Sequence, residues 1–286
     1  MRERAFTLIE LIVVIMVIAI LSALLFPVFQ RARAQGTHAV CATQLKQLGL
    51  ATGLYASEYD DGLMPAQYRS DTDQTPVYDR RWPQLLLPYT RNFKMFRCPS
   101  DTFKHPDTSL NDPSSLMRDA DALAYRWAER TNYGYNALNL SPAYYSGSEW
   151  YVAPVQQSQV TNPSGTILFA ETAWEISGGR TTGGGNYIVL PPCRFSFEGG
   201  ASLDTLGSVS PVYNQASLSP GWSLDFHDKK LVYGGAWAFH GGTMNQAMLD
   251  GAVVRRSLPA STVGCDMKPR WQGRIIDRGA YLWDAN

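Results

Sequence analysis

The chain has 286 residues, 25 Lys plus Arg against 25 Asp plus Glu, and a formal net charge of zero. That balance excludes the basic character expected of a nucleic-acid-binding protein. A charged fraction of 17%, with 24 Gly, 17 Pro, 15 Tyr and 8 Trp, favours a β-rich, loop-rich domain over a helical bundle. The length suits one anchor segment plus one sizeable globular domain.

The first predicted element is apolar. From Leu11 to Phe29 the one polar side chain is Ser22, and at ~1.5 Å per residue this run makes a helix of about 29 Å, close to the ~30 Å hydrocarbon core of a bilayer. It exceeds the ~7–15 residues of a signal-peptide core, and no small-residue cleavage site follows it. The run therefore reads as a membrane-spanning helix. Glu10 stands at its edge, where a carboxylate is costly unless paired. Thr7 and Glu10 have the spacing of a capping box, in which each side chain satisfies the other's backbone donor. Taken by itself, Glu10 reads as that cap.

The segment Arg4-Ala5-Phe6-Thr7-Leu8-Ile9-Glu10-Leu11 resembles the recognition site of type IV prepilins and pseudopilins. The resemblance implies a leader peptide over residues 1–5, cut by a prepilin peptidase between Ala5 and Phe6, and N-methylation of the new Phe6 amine. It makes Glu10 the fifth mature residue, with a role in filament assembly, and Pro27 the site of a helix kink. The family usually has Gly where this chain has Ala5. Arg2 and Arg4 precede the span while Arg31 and Arg33 follow it, so charge counting does not orient it. The resemblance does: leader inside, globular domain on the outer side of the inner membrane, and a filament after assembly. The implied partners are prepilin peptidase, other pilin or pseudopilin subunits, an inner-membrane assembly platform and membrane lipid.

Beyond the span, Cys41, Leu45, Leu48, Thr52, Tyr55 and Tyr59 recur at alternating spacings of four and three, an amphipathic helical face. Asp60-Asp61-Gly62 should end it, with Pro65 shortly after. The expected organisation is a transmembrane or filament-core helix over 6–29, its amphipathic continuation over 30–62, and a globular domain over 63–286. Residues 63–83 read as a surface loop and Trp82–Tyr89 as a short helical or extended piece fenced by prolines. A short helix is expected around Ser115–Arg130 and a strand or turn at Tyr133–Asn136. Thr166–Ala170 is the clearest central strand. Residues 175–235, rich in Gly and Pro, read as a long loop-rich insertion, and their Gly183-Gly184-Gly185 lacks the Lys-Ser/Thr of a phosphate loop. Thr243–Leu249 and Ala252–Arg256 flank Asp250-Gly251, a tight-hairpin signal with both central residues at positive φ. The fold class is α+β, pilin-like: a long N-terminal helix packed on an antiparallel β-sheet domain with long loops.

Cys41, Cys98, Cys193 and Cys265 lack the CxxC spacing of zinc or thioredoxin-type sites. On the outer side of a membrane an even count permits two disulfides in three connectivities. Cys41–Cys98 with Cys193–Cys265 is the expected one, against free buried thiols as the alternative. His240 and Asp250-Gly251 are separated by nine residues. This spacing, with Cys41-x-x-Gln44-Leu45-Lys46-Gln47-Leu48-Gly49 and Cys98-Pro99-Ser100-Asp101, resembles a set of bacterial prepilin-like proteins with that C-terminal signature.

Candidate chemistry is sparse. His240 near Asp250 could be half of a metal site or a base with its orienting acid, but a His bonded to turn backbone and an Asp chosen for its φ explain the pair more simply. His38, His105 and His227 are isolated in sequence, and no HExxH or Gly-x-Ser-x-Gly pattern occurs. Asp60-Asp61 and Asp71-x-Asp73 are oxygen-rich loops that offer ligands to Ca²⁺, but they lack EF-hand spacing and read as solvated turns. The expectation is a non-enzymatic protein with no catalytic residues, metal or other cofactor: a structural subunit, minor or specialised, of a type IV pilus-like or type II secretion pseudopilus filament. The alternative uses the helix only as export signal and anchor for an extracytoplasmic binding domain, with Tyr144, Tyr145, Trp150, Tyr151 and Trp222 stacking on a polysaccharide.

Overall fold

The computed structural model describes residues 7–68, 80–101, 130–145, 150–173, 175–177, 180–182, 184–193, 224–225, 230–231, 235–266 and 273–284. Helix α1 (Leu8–Glu58) runs unbroken for 51 residues, with Pro27 inside it. There the proline ring removes one intrahelical bond and crowds the carbonyl of Ala23. Cys41 is the first buried residue of α1, and Leu45, Leu48, Thr52 and Tyr55 follow on the same face. Tyr59 leaves the stripe: it is 53% exposed and serves as the C-cap, its N–H donating to Tyr55 and Ala56 carbonyls. The helix closes two residues earlier than expected because Asp60 and Asp61 both turn left-handed (φ 49° and 66°), and the Asp61 N–H reaches back to the Ala56 carbonyl at 2.8 Å. Aspartate tolerates that conformation without glycine's help.

The docked half of α1 covers one face of a four-stranded antiparallel sheet made of β1 (Tyr133–Tyr135), β2 (Ile167–Glu171), β3 (Thr243–Met248) and β4 (Val253–Ser257), in the spatial order β4-β3-β2-β1. Pairing β2 to β3 skips one residue: Ala247 opposes Phe169, but Met248 opposes Ile167. Leu168 is thus a bulge, and the side chains of β2 change faces across it. Phe169 and Leu168 join Cys41, Leu45, Leu48, Tyr55, Tyr135 and Ala247 in the core under the helix. Ile167 and Ala170 join Met244, Met248, Val189, Leu190, Ile275 and Trp283 in a second core on the far face. The central strand is buried throughout, as its continuous apolar run implied.

The segment read as a surface loop, and part of the expected insertion, are core where they are described. Leu63, Met64, Ala66 and Trp82 are 0–2% exposed. The chain folds straight under the helix end, with Leu63 N–H bonded to the Val155 carbonyl and Trp82 N–H to the Ala66 carbonyl. Trp82 opens helix α2 (Trp82–Thr90), with Pro83 in its first turn. The Trp82 ring lies 4.7 Å from that of Phe169 and its indole N–H donates to the Tyr187 carbonyl. Within the expected insertion, Tyr187, Ile188, Val189, Leu190 and Cys193 are buried, because this segment bonds alongside β1 through Tyr135. The approach is close: a side chain on Gly134 would meet the Ile188 carbonyl at 2.8 Å. The helix expected at 115–130 lies, but for Arg130, outside the described residues.

Disulfides join Cys41 to Cys98 and Cys193 to Cys265, the connectivity expected from the sequence, closing separations of 57 and 72 residues. In the chain-entropy account each stabilises the fold by about 4 kcal/mol. The β3–β4 connection is not the expected two-residue turn. Met248 N–H bonds to the Ala252 carbonyl across Leu249-Asp250-Gly251, and only Gly251 takes a positive φ (84°). This is a three-residue loop whose left-handed residue must be glycine. Gly251→Ala should therefore lose about 1–2 kcal/mol in urea unfolding, the left-handed penalty of a Cβ.

Candidate functional site

The first part of the site is the bare half of α1. Every large apolar side chain from Leu8 to Phe29 is exposed, from 43% at Ile12 to 75% at Leu8. A surface this apolar and continuous requires lipid or protein against it. At its tip, one Glu10 oxygen, Oε2, accepts the Thr7 N–H at 2.8 Å and the Thr7 hydroxyl at 2.7 Å, while the Glu10 N–H donates to Thr7 Oγ1 at 3.3 Å. The capping box is formed, and Oε1 accepts nothing among the described residues. Ala5 and Phe6 lie outside the described residues.

The second part is buried where α1 meets the sheet. Glu171, at the end of β2, is fully buried. Its Oε2 accepts the Asn245 backbone N–H at 2.9 Å, and its Oε1 accepts Asn245 Nδ2 at 2.9 Å and faces His240 Nε2 at 2.9 Å. Asn245 Oδ1 in turn accepts from His38 Nε2 at 2.8 Å. The two imidazoles meet edge to face, centroids 4.8 Å apart. Ser100 Oγ lies 3.4 Å from His240 Nδ1, and Cys98 Sγ 3.8 Å from Nε2. The result is one polar network set into an apolar core and tied to α1 by His38. Nearby, the Tyr133 hydroxyl donates to Gln44 Oε1 at 2.6 Å. Burial, and then the charge of Glu171, push its phenol well above the ordinary value and keep it a neutral donor.

Two expectations change here. His240 does not face Asp250, nor does its ring bond turn backbone. The two residues sit at opposite ends of the six-residue β3, roughly 20 Å at ~3.3 Å per residue, and Asp250 Oδ1 accepts the Ala252 N–H at 2.9 Å. The acid that meets His240 is Glu171, and His38 is a partner in the same network rather than isolated. His105 and His227 lie outside the described residues. Of the oxygen-rich loops, Asp61 Oδ2 accepts the Ser158 N–H at 2.8 Å, and hydrogen bonding by Ser158 holds its carboxyl below the usual range; Asp71 and Asp73 are outside the described residues. Tyr144 and Tyr145 pair with Tyr151 and Trp150 on a short antiparallel ribbon, and Trp222 is outside the described residues. The disulfide sulfurs of Cys41 and Cys98 and the nearest donor atoms of Glu171 and His240 all lie within 4.8 Å of one another; with the disulfide formed, the two cysteines offer no thiolate to a metal.

Residues 1–26 match the family model described as the prokaryotic N-terminal methylation motif. With the long apolar helix that carries it, this match fits a type IV prepilin-like protein. No curated protein and no solved structure matches it.

The prepilin-like motif implies processing by a prepilin peptidase and assembly with other pilin-type subunits, and the helix of this protein is long and apolar enough to cross a membrane once. The further signature segments of the sequence, far apart along the chain, converge on the seam between α1 and the sheet. Cys41 is bonded to Cys98. Gln44 takes the Tyr133 hydroxyl and donates to the Lys94 carbonyl. Ser100 and His240 face each other, and Asp101 accepts from Asn132 Nδ2 at 2.7 Å. A Cβ on Gly49 would lie 3.8 Å from the Gly251 Cα, so the helix rests against the β3–β4 turn there. These residues fasten the long helix to its domain.

Proposed function

We propose that this protein is a minor or specialised structural subunit of a type IV pilus-like or type II secretion pseudopilus filament. One observation carries the reading: a single helix is bare and apolar over Leu8–Phe29, behind a methylation motif, and firmly docked on a domain over its second half. Before assembly the bare half holds the subunit in the inner membrane, with the domain on the outer side. On assembly it exchanges lipid for the helices of its neighbours. Glu10 then sits in an apolar filament core, where an unpaired carboxylate is costly. The methylated amine of a neighbouring Phe6 supplies the opposite charge, and the pair fixes the axial register between subunits, a specificity role an ion pair serves even at small net stabilisation. The oxygen left free by the capping box, Oε1, can accept that amine without dismantling the helix start.

Intact mass and N-terminal sequencing of the protein, from native membranes and from sheared surface filaments, test this reading. The expected chain begins at N-methylated Phe6 and is present in filaments. A chain that begins at Met1 and never leaves the membrane fraction would overturn it and leave the anchored binding domain as the reading to pursue.

A further inference from the structure

The Cys41–Cys98 disulfide is set among groups that a disulfide does not need. We propose that, when this bond is reduced, Cys41, Cys98, His240 and Glu171 form a four-coordinate site for Zn²⁺, so that the seam between α1 and the sheet has two interchangeable fastenings. The inference is independent of the filament reading.

The four donors come from four separate stretches: Cys41 from α1, Cys98 from the loop after Phe93–Phe96, Glu171 from the end of β2 and His240 from the turn before β3. All four residues are buried and their ligand atoms lie within 4.8 Å of one another. Zinc binds sulfur at about 2.3 Å and nitrogen or carboxylate oxygen at about 2.0–2.2 Å, which puts tetrahedral donors roughly 3.3–3.8 Å apart. Cys98 Sγ and His240 Nε2 already stand at 3.8 Å, and His240 Nε2 and Glu171 Oε1 at 2.9 Å. The two sulfurs must part from bonding distance to about 3.7 Å, and the remaining pairs, already within 4.8 Å, need shifts on the order of 1 Å. Two thiolates, an imidazole and a carboxylate are a donor set suited to zinc.

The surroundings are those of a supported ligand shell. The Asn245 N–H and Nδ2 fix both oxygens of Glu171, and Asn245 is itself held by His38. Ser100 Oγ faces His240 Nδ1, where it can accept that nitrogen's proton and leave Nε2, which lies between Glu171 Oε1 and Cys98 Sγ, to bind a metal through its lone pair. Charge argues the same way. Glu171 is fully buried, with His240 Nε2 2.9 Å from its Oε1, and a bound divalent cation supplies countercharge to a carboxylate held out of water. The other disulfide, Cys193–Cys265, has no such grouping among the described residues.

The chemistry balances as follows. A dithiol reductant delivers two electrons and two protons to the Cys41–Cys98 bond and becomes a disulfide. Zn²⁺ then displaces the two thiol protons, and with them the proton between His240 and Glu171, to solvent.

The test uses the full chain in detergent, reduced with a phosphine, incubated with zinc or cobalt and desalted. The reduced chain should retain one zinc and the oxidised chain none. Cobalt should give a thiolate charge-transfer band with tetrahedral d–d bands. A Cys193→Ser/Cys265→Ser variant should bind as the wild type does. His240→Asn should bind more weakly by over tenfold, since even an outer-shell change costs about 10–100-fold. Thermal unfolding of the reduced chain should shift upward with zinc. The proposal is overturned if the reduced chain retains no more zinc than the oxidised one, if cobalt shows no thiolate band, if His240→Asn leaves affinity unchanged, or if zinc neither stabilises nor refolds the reduced chain.

Discussion

Glu171→Ala is expected to destabilise the domain by roughly 3–5 kcal/mol. The substitution removes one acid but orphans three donors: the Asn245 N–H, Asn245 Nδ2 and His240 Nε2. Each buried donor left unsatisfied costs about 1–3 kcal/mol, and breaking a buried pair by deleting one partner costs about 3–5 kcal/mol. Glu171→Gln keeps one acceptor oxygen and should lose less. Urea unfolding of the full chain in detergent measures both. A loss below about 1 kcal/mol for the alanine variant would mean that water enters and satisfies the network.

The second large effect is functional. Glu10→Ala should insert into membranes normally and be absent from filaments. Its cost to the helix is about 1 kcal/mol, the value of a lost cap, too little to melt a helix of 51 residues. Two companions separate the cap from the charge. Glu10→Gln retains an amide oxygen for Thr7 but no negative charge, and should also fail to assemble. Thr7→Ala loses the cap hydroxyl but keeps the carboxylate, and should assemble. Immunoblots of sheared filaments and electron microscopy read the outcome. A Glu10→Gln variant that assembles normally would sink the amine pairing.

The helix was legible in the sequence because its signals are local: an apolar run, then Cys41, Leu45, Leu48, Thr52 and Tyr55 at helical spacing. The central strand and the hairpin were legible for the same reason. Glu171 was not. It closes the run Ile167–Glu171 where an acid ordinarily marks a strand emerging into water, and the Leu168 bulge breaks the alternation that would have shown which face it takes. His240 stands out in the sequence, but Asp250, the acid that shares its signature, lies at the far end of the strand. The partners that meet it, Glu171, Ser100 and His38, lie 69 to over 200 residues away and are brought together only by helix docking and sheet pairing. Likewise 184–193 looked like loop because Gly and Pro surround it, while Tyr187–Leu190 fills the core.

The position of the Cys41–Cys98 bond has a mechanical consequence. Cys41 is the first fully buried residue of α1, one turn after His38 makes its contacts with Asn245 and His240. Tension applied along the bare half of the helix, by a membrane or by a row of neighbouring subunits, therefore meets His38 and then a covalent bond before it reaches the packed core. Leu45, Leu48 and Tyr55 lie behind that bond in the load path. The domain can be hauled by its helix without the helix peeling away from the sheet.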